Sequence, residues 1–266
     1  MPKYGRSIIV ADGVTMIGQD LSSRNVRNAL ELEIHNLRTD KIDLSQCMQL
    51  NKLRISTNSN TKCKVVGLNS KTLTKLHLSN CFINAHMFVH QQQLVRLVLE
   101  NCKGEALLIP DNAHQVEMRN CEIENVIFDE ECQLQVFKCT WDTQERRGTF
   151  IGMQNLKRVL TIEIQNPTSR GTLPNSKVRI PFCAKQLVLH YSDLLCENDE
   201  VSKSDAESED AEQSDVILSS QSREPLAISV DSWISFDQVF SIDLIVRGWE
   251  EERGEIINLP DQVNLI

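Results

Sequence analysis

Nine cysteines and six histidines are the side chains of this 266-residue chain best suited to nucleophilic attack, metal ligation or proton transfer. Their spacing gives them little chance to cooperate. Structural zinc sites use compact pairs such as C-x2-C, and the tightest candidates, Cys132 and Cys139, are too far apart for that pattern. His86 and His90 stand four residues apart, but Met87 occupies the place where a metalloprotease motif carries its glutamate. His114 and His190 have no catalytic partner by spacing. The ten glycines are scattered, forming neither a phosphate-cradling loop nor a G-x-S-x-G elbow. Carboxylates are plentiful, yet no repeat places a pair as a glycosidase would need. No catalytic residue, cofactor or metal is expected, and the chain reads as a non-enzyme.

The cysteines do follow another rule. Asn-Cys recurs as Asn80-Cys81, Asn101-Cys102 and Asn120-Cys121. Each pair closes a segment such as Leu73-Thr74-Lys75-Leu76-His77-Leu78-Ser79-Asn80-Cys81-Phe82-Ile83, apolar at positions 1, 4, 6, 9 and 11. Leu94, Leu97, Leu99 and Cys102 repeat the pattern, as do Ala113, Val116, Met118, Cys121 and Ile123. Upstream, Leu50, Leu53 and Ile55 match, and so do Ala29, Leu32, Ile34 and Leu37. A further unit is expected to start at Glu131, with Leu134, Val136, Cys139 and Trp141 in the apolar places. The units then start at 29, 50, 73, 94, 113 and 131. Cysteine in an apolar repeat position acts as a small buried hydrophobe, so Cys81, Cys102, Cys121 and Cys139 are expected to stack in one column.

This pattern resembles the leucine-rich repeat superfamily, whose segment reads L-x-x-L-x-L-x-x-N/C-x-L. The resemblance covers residues 29–141 and continues less regularly at Val159-Ile162-Ile164 and Ala184-Leu187-Leu189-Leu194. It implies a solenoid in which each unit buries its apolar edge against the next. Between segments lie apolar pairs two residues apart: Ile42 and Leu44, Met87 and Val89, Leu107 and Ile109, Val126 and Phe128. Alternation is the strand period. The expected fold is therefore mostly β, with parallel strands on a concave side and short strands or irregular turns on the return side. A parallel β-helix is the alternative. Residues 1–28, with Ile8, Val10, Val14 and Ile17, are expected to form an irregular N-terminal cap, 29–196 the solenoid, and 225–266 final turns and a C-terminal cap.

Residues 197–224 interrupt this plan. Nine acids and one base, Lys203, fall between Glu197 and Asp215. Such a run buries too little apolar surface to offset its ordering entropy, so disorder is expected. Ser202 and Ser204 each have an acid three residues on, an arrangement suited to an acid-directed kinase. No signal peptide or membrane-length apolar run appears. The odd cysteine count fits reduced thiols, so a cytoplasmic or nuclear protein is expected.

In the superfamily, residues between the buried leucines face outward. Third-place residues are Glu31, Lys52, Lys75, Arg96, Gln115 and Gln133; fifth-place residues are Glu33, Arg54, His77, Val98, Glu117 and Gln135. Seventh-place residues are His35, Ser56, Ser79, Glu100, Arg119 and Phe137. Lys52, Arg54, Lys75 and Arg96, with His77 and Arg119, then form a partner-binding candidate for a protein with an acidic surface. Glu197–Asp215 could contact the same face within the molecule. The net charge of −9 argues against a general nucleic-acid binder. The resemblance implies a non-catalytic interaction scaffold or adaptor. The alternatives are a substrate-recruiting subunit, F-box-like but without a visible F-box, and a β-helix carbohydrate-active enzyme.

Overall fold

The computed structural model describes residues 8–12, 24–37, 39–57, 62–140, 149–165, 178–190, 228–229, 234–247, 256–257 and 259–266. The expectations for Val14 and Ile17, for the 197–224 segment and for Ser202 and Ser204 lie outside these residues.

Alternating patterns such as Leu-Arg-Ile and Leu-His-Leu send every second side chain inward, and the chain pairs them strand on strand. One long sheet takes eleven strands, in this order: β1 (Ile8–Asp12), β2 (Glu31–Leu37), β4 (Lys52–Thr57), β6 (Lys75–Ser79), β8 (Arg96–Glu100), β10 (Gln115–Arg119), β12 (Val136–Thr140), β14 (Thr161–Gln165), β16 (Gln186–His190), β19 (Ile242–Arg247) and β21 (Val263–Leu265). The return strands form a second sheet: β3 (Lys41–Asp43), β5 (Cys63–Val66), β7 (Cys81–Ile83), β9 (Lys103–Leu108), β11 (Glu122–Ile127) and β13 (Thr149–Ile151). Two short pairs complete the described strands: β15 (Val178–Arg179) with β18 (Ile234–Ser235), and β17 (Ile228–Ser229) with β20 (Ile256–Ile257). The pairings are parallel, and the described strands form a β-solenoid with almost no helix. The described helices are a single α-helical turn, Arg24–Arg27, and a 3-10 turn, Met153–Asn155. No helix among the described residues is long and apolar enough to cross a membrane.

Register locks identical environments over one another. Leu32, Leu53, Leu76, Leu97, Val116, Phe137, Ile162 and Leu187 form one inward column across the long sheet. Ile34, Ile55, Leu78, Leu99, Met118, Cys139, Ile164 and Leu189 form the next. A third, at the turn entering each strand, holds Ala29, Leu50, Leu73, Leu94, Ala113, Leu134, Val159 and Ala184, none more than 1% exposed. Burial of each such leucine contributes about 1.5–3 kcal/mol.

Three expectations are corrected. First, the unit near residue 131 slips by three. Val116 pairs with Phe137 and Met118 with Cys139, so the unit begins at Leu134. Phe137 is buried in the core, packed edge-on against Phe128 and Phe150 with ring centroids 5.3 Å from each. The outward residues of β12 are Val136, Lys138 and Thr140, in place of Gln133, Gln135 and Phe137. Cys139 accordingly sits in the Met118 column, while the thiol column runs Cys63, Cys81, Cys102, Cys121 along the return side. Second, Met87 and Val89 are not an inward pair: Val89 is 48% exposed and Phe88 between them is buried, because Ala85–His90 is a turn rather than a strand. Third, Ile8–Asp12 extends the long sheet as β1, paired with β2, instead of forming an irregular turn.

The Asn-Cys signal has a backbone cause. Asn80, Asn101 and Asn120 adopt left-handed φ of 57, 50 and 53°, and Asn36 joins them at 53°. These residues turn the corner between the two sheets. Asparagine tolerates that conformation far better than most side chains. The Asn80 amide also donates to the Thr57 carbonyl at 3.1 Å, and the backbone N–H groups of Asn101 and Asn120 donate onward to Arg119 and Thr140 at 2.8 Å. The cysteine that follows points inward. Cys102 and Cys121 thiols donate weakly to the Leu78 and Leu99 carbonyls of the preceding turn, both at 3.4 Å.

Candidate interaction face

The outward side of the long sheet carries the residues expected to bind a partner. Lys52, Lys75 and Arg96 lie in direct register on β4, β6 and β8, in a row that includes Glu31 before them and Gln115 after them. Arg54 and His77 are in register in the parallel row, between Glu33 and Val98. Strands about 4.8 Å apart therefore hold Lys52, Arg54, Lys75 and Arg96 over three successive turns.

Acids on the same face answer some of these cations. Lys52 Nζ contacts Glu31 Oε1 at 2.7 Å, one turn back in the same row. Arg96 lies 3.8 Å from Glu117, one turn on. Arg119 bridges two carboxylates, reaching Glu100 at 2.6 Å and also pairing with Glu117. The hydrogen bond that Arg119 donates to the Glu117 carboxylate, with the charges of Glu117 and Glu100 adding to it, raises the guanidinium pKa. His77 Nε2 sits 3.0 Å from Glu100 Oε2, but off line for a hydrogen bond. Farther along, Lys138 and Glu163 pair at 2.5 Å on β12 and β14. Arg54 and Lys75 have no carboxylate partner among the described residues. The six expected residues thus share one face, but with two distinct roles: Arg119, Arg96, Lys52 and His77 stand beside carboxylates, while Arg54 and Lys75 present uncompensated charge. The missed participants are Glu31, Glu100 and Glu117. Their signal was in the sequence, since each lies in an outward place one turn from a cation.

Burial pushes Cys63 and Cys132 up to about 11 and Cys81 up to about 12, far from the thiolate that attacks or ligates. Among the described residues no group of three or more histidines, cysteines or carboxylates is arranged to hold a metal ion.

Against known proteins, the chain matches no family model, no curated protein and no solved structure.

Proposed function

We propose that the chain is a leucine-rich-repeat-type, non-catalytic scaffold of the cytoplasm or nucleus that holds a protein partner against its long sheet. The observation that carries this reading is Arg54 and Lys75. They are uncompensated cations on adjacent strands of a rigid parallel sheet, with Lys52 and His77 beside them. Extended solenoid sheets suit this role because their stacked strands offer a long surface that need not reorganise on binding. The partner's contacting surface is then acidic. Affinity capture with the intact chain, compared with a K52E/R54E/K75E variant, tests the proposal. A protein retained by the wild type and lost by the variant supports it. Equal retention, with Arg119→Gln as a reference inside the compensated cluster, removes this face from consideration.

A further inference from the structure

The return sheet presents a second surface that sequence spacing did not bring out. Register places Lys41 beside Lys64, Lys64 beside Phe82, and Phe82 beside Lys103. These four side chains occupy outward positions of β3, β5, β7 and β9. Phe82 is 39% exposed although the aromatic rings of Phe88, Phe128 and Phe137 are buried. Its place is fixed by close packing on the β9 side, where Gly104 lies against the backbone of Ile83 and a Cβ would strike the Ile83 carbonyl. Lys41 and Lys64 have no carboxylate partner among the described residues; Lys103 pairs with Glu122 at 2.9 Å. Lys62 adds a further ammonium at the sheet corner, donating to the Asn101 carbonyl. Opposing charges nearby are the exposed Asp40, whose carbonyl accepts from the Lys64 N–H, Asp43, which feels Lys41, Glu122 in the same row, and the exposed Glu105 and Glu124.

We infer that this stripe docks an extended acidic peptide that carries an apolar side chain between its carboxylates. The site is separate from the long-sheet face. Strands are about 4.8 Å apart, so Lys64 and Lys103 flank Phe82 with their backbones about 9.6 Å from one another. An extended peptide repeats each face about every 6.8 Å, which puts carboxylates at i and i+4 about 13.6 Å apart. The flexible lysine stems splay to cover the difference. An acid-x-apolar-x-acid segment lying across the strands then sets its apolar side chain on Phe82 and its acids on Lys64 and Lys103. A single-stranded nucleic acid fits less well. Its sequence-tolerant binding uses aromatic rings under successive bases together with a continuous cationic groove, and this stripe has one exposed ring among the described residues, Phe82, with Glu122 next in its row.

The test is fluorescence anisotropy on the full chain at low salt with a labelled Glu-Ser-Leu-Ser-Glu peptide. Binding should weaken about tenfold in K64E/K103E, the loss expected from two surface charges reversed. It should also fall in F82S, fall with added salt, and fall for the permuted peptide Glu-Glu-Ser-Ser-Leu. The variant K71E/K185E, at two exposed lysines that lie outside the strands of both sheets, should bind the peptide as the wild type does. K64A, which introduces no new charge, keeps the test open if the double variant misfolds. No binding in the millimolar range, indifference to F82S, or tighter binding of an oligothymidylate through the same lysines would each overturn the inference. So would a dimer that F82S dissociates, because the stripe would then be covered by a second copy.

Discussion

At the scale of single residues, this fold depends on side chains that can bend the backbone without strain. Asn101 illustrates the point: its φ of 50° is nearly unavailable to an alanine. Left-handed backbone costs most L-residues about 1–2 kcal/mol, so Asn101→Ala should lower stability by about that amount while Asn101→Gly changes it much less. Urea unfolding followed by circular dichroism gives both values, and equal losses for the two would mean that the corner is held by side-chain hydrogen bonding instead. The buried cysteines have a different liability. Burial raises Cys63 and Cys132 to about 11 and Cys81 to about 12 from an ordinary 9.0. The native state therefore keeps protons that the unfolded chain releases above pH 9. The stabilisation is complete below that pH and is lost as pH rises towards 11 and 12. The urea midpoint should drop between pH 8.5 and pH 10.5, and drop less in a Cys81→Ala variant. A midpoint that is flat over this interval, or a drop as steep in the variant, would exclude the thiol column as the cause.

At the scale of elements, the stacking of strands was legible wherever one inward column could be followed from unit to unit. Leu32, Leu53, Leu76, Leu97 and Val116 needed nothing but period and residue type. The slip at β12 came from letting Cys139 stand for the corner cysteine. Its predecessor is Lys138, not an asparagine, so the corner that defines the repeat is absent there. A strand shifted by an odd number of residues exchanges its two faces, so a three-residue difference in register is what separates an outward Phe137 from the buried one observed. The return strands were harder to read. They have as few as three residues, as in Cys81–Ile83, and their pairing is set by corner geometry more than by composition. The interaction face was legible in its cations and illegible in its charge balance, because pairing such as Arg119 with Glu100 depends on strands nineteen residues apart lying in register. Phe137 gives a direct check on the corrected register. It touches Phe128 and Phe150 at 5.3 Å and is 0% exposed. Removing a fully buried ring costs about 3–5 kcal/mol. Phe137→Ala should lose stability on that scale, whereas Gln135→Ala, exposed in the turn, should change it by less than about 0.5 kcal/mol.

At the scale of the whole molecule, charge is distributed unevenly along the chain. Nine acids and one lysine between Glu197 and Asp215 sum to −8, so the remainder of the chain accounts for only −1 of the net −9. A nearly neutral solenoid bearing uncompensated lysines and arginines is thus covalently joined to a dense run of carboxylates. Tethering gives the run a high effective concentration at any cationic surface within its reach, and it should compete there with an acidic ligand from outside. The competition is electrostatic. It should be strongest at low ionic strength and fade as the screening length shrinks to about 3 Å near 1 M salt. Removal of residues 197–215 should therefore tighten binding of a labelled polyglutamate at low salt, with the two proteins converging as salt is raised. Repeating the titration with K52E/R54E/K75E and with K64E/K103E locates the contact, since the deletion should cease to matter once the surface it covers has lost its charge. Identical polyglutamate affinities for the intact and shortened chains at low salt would mean that the acidic run does not occupy either sheet.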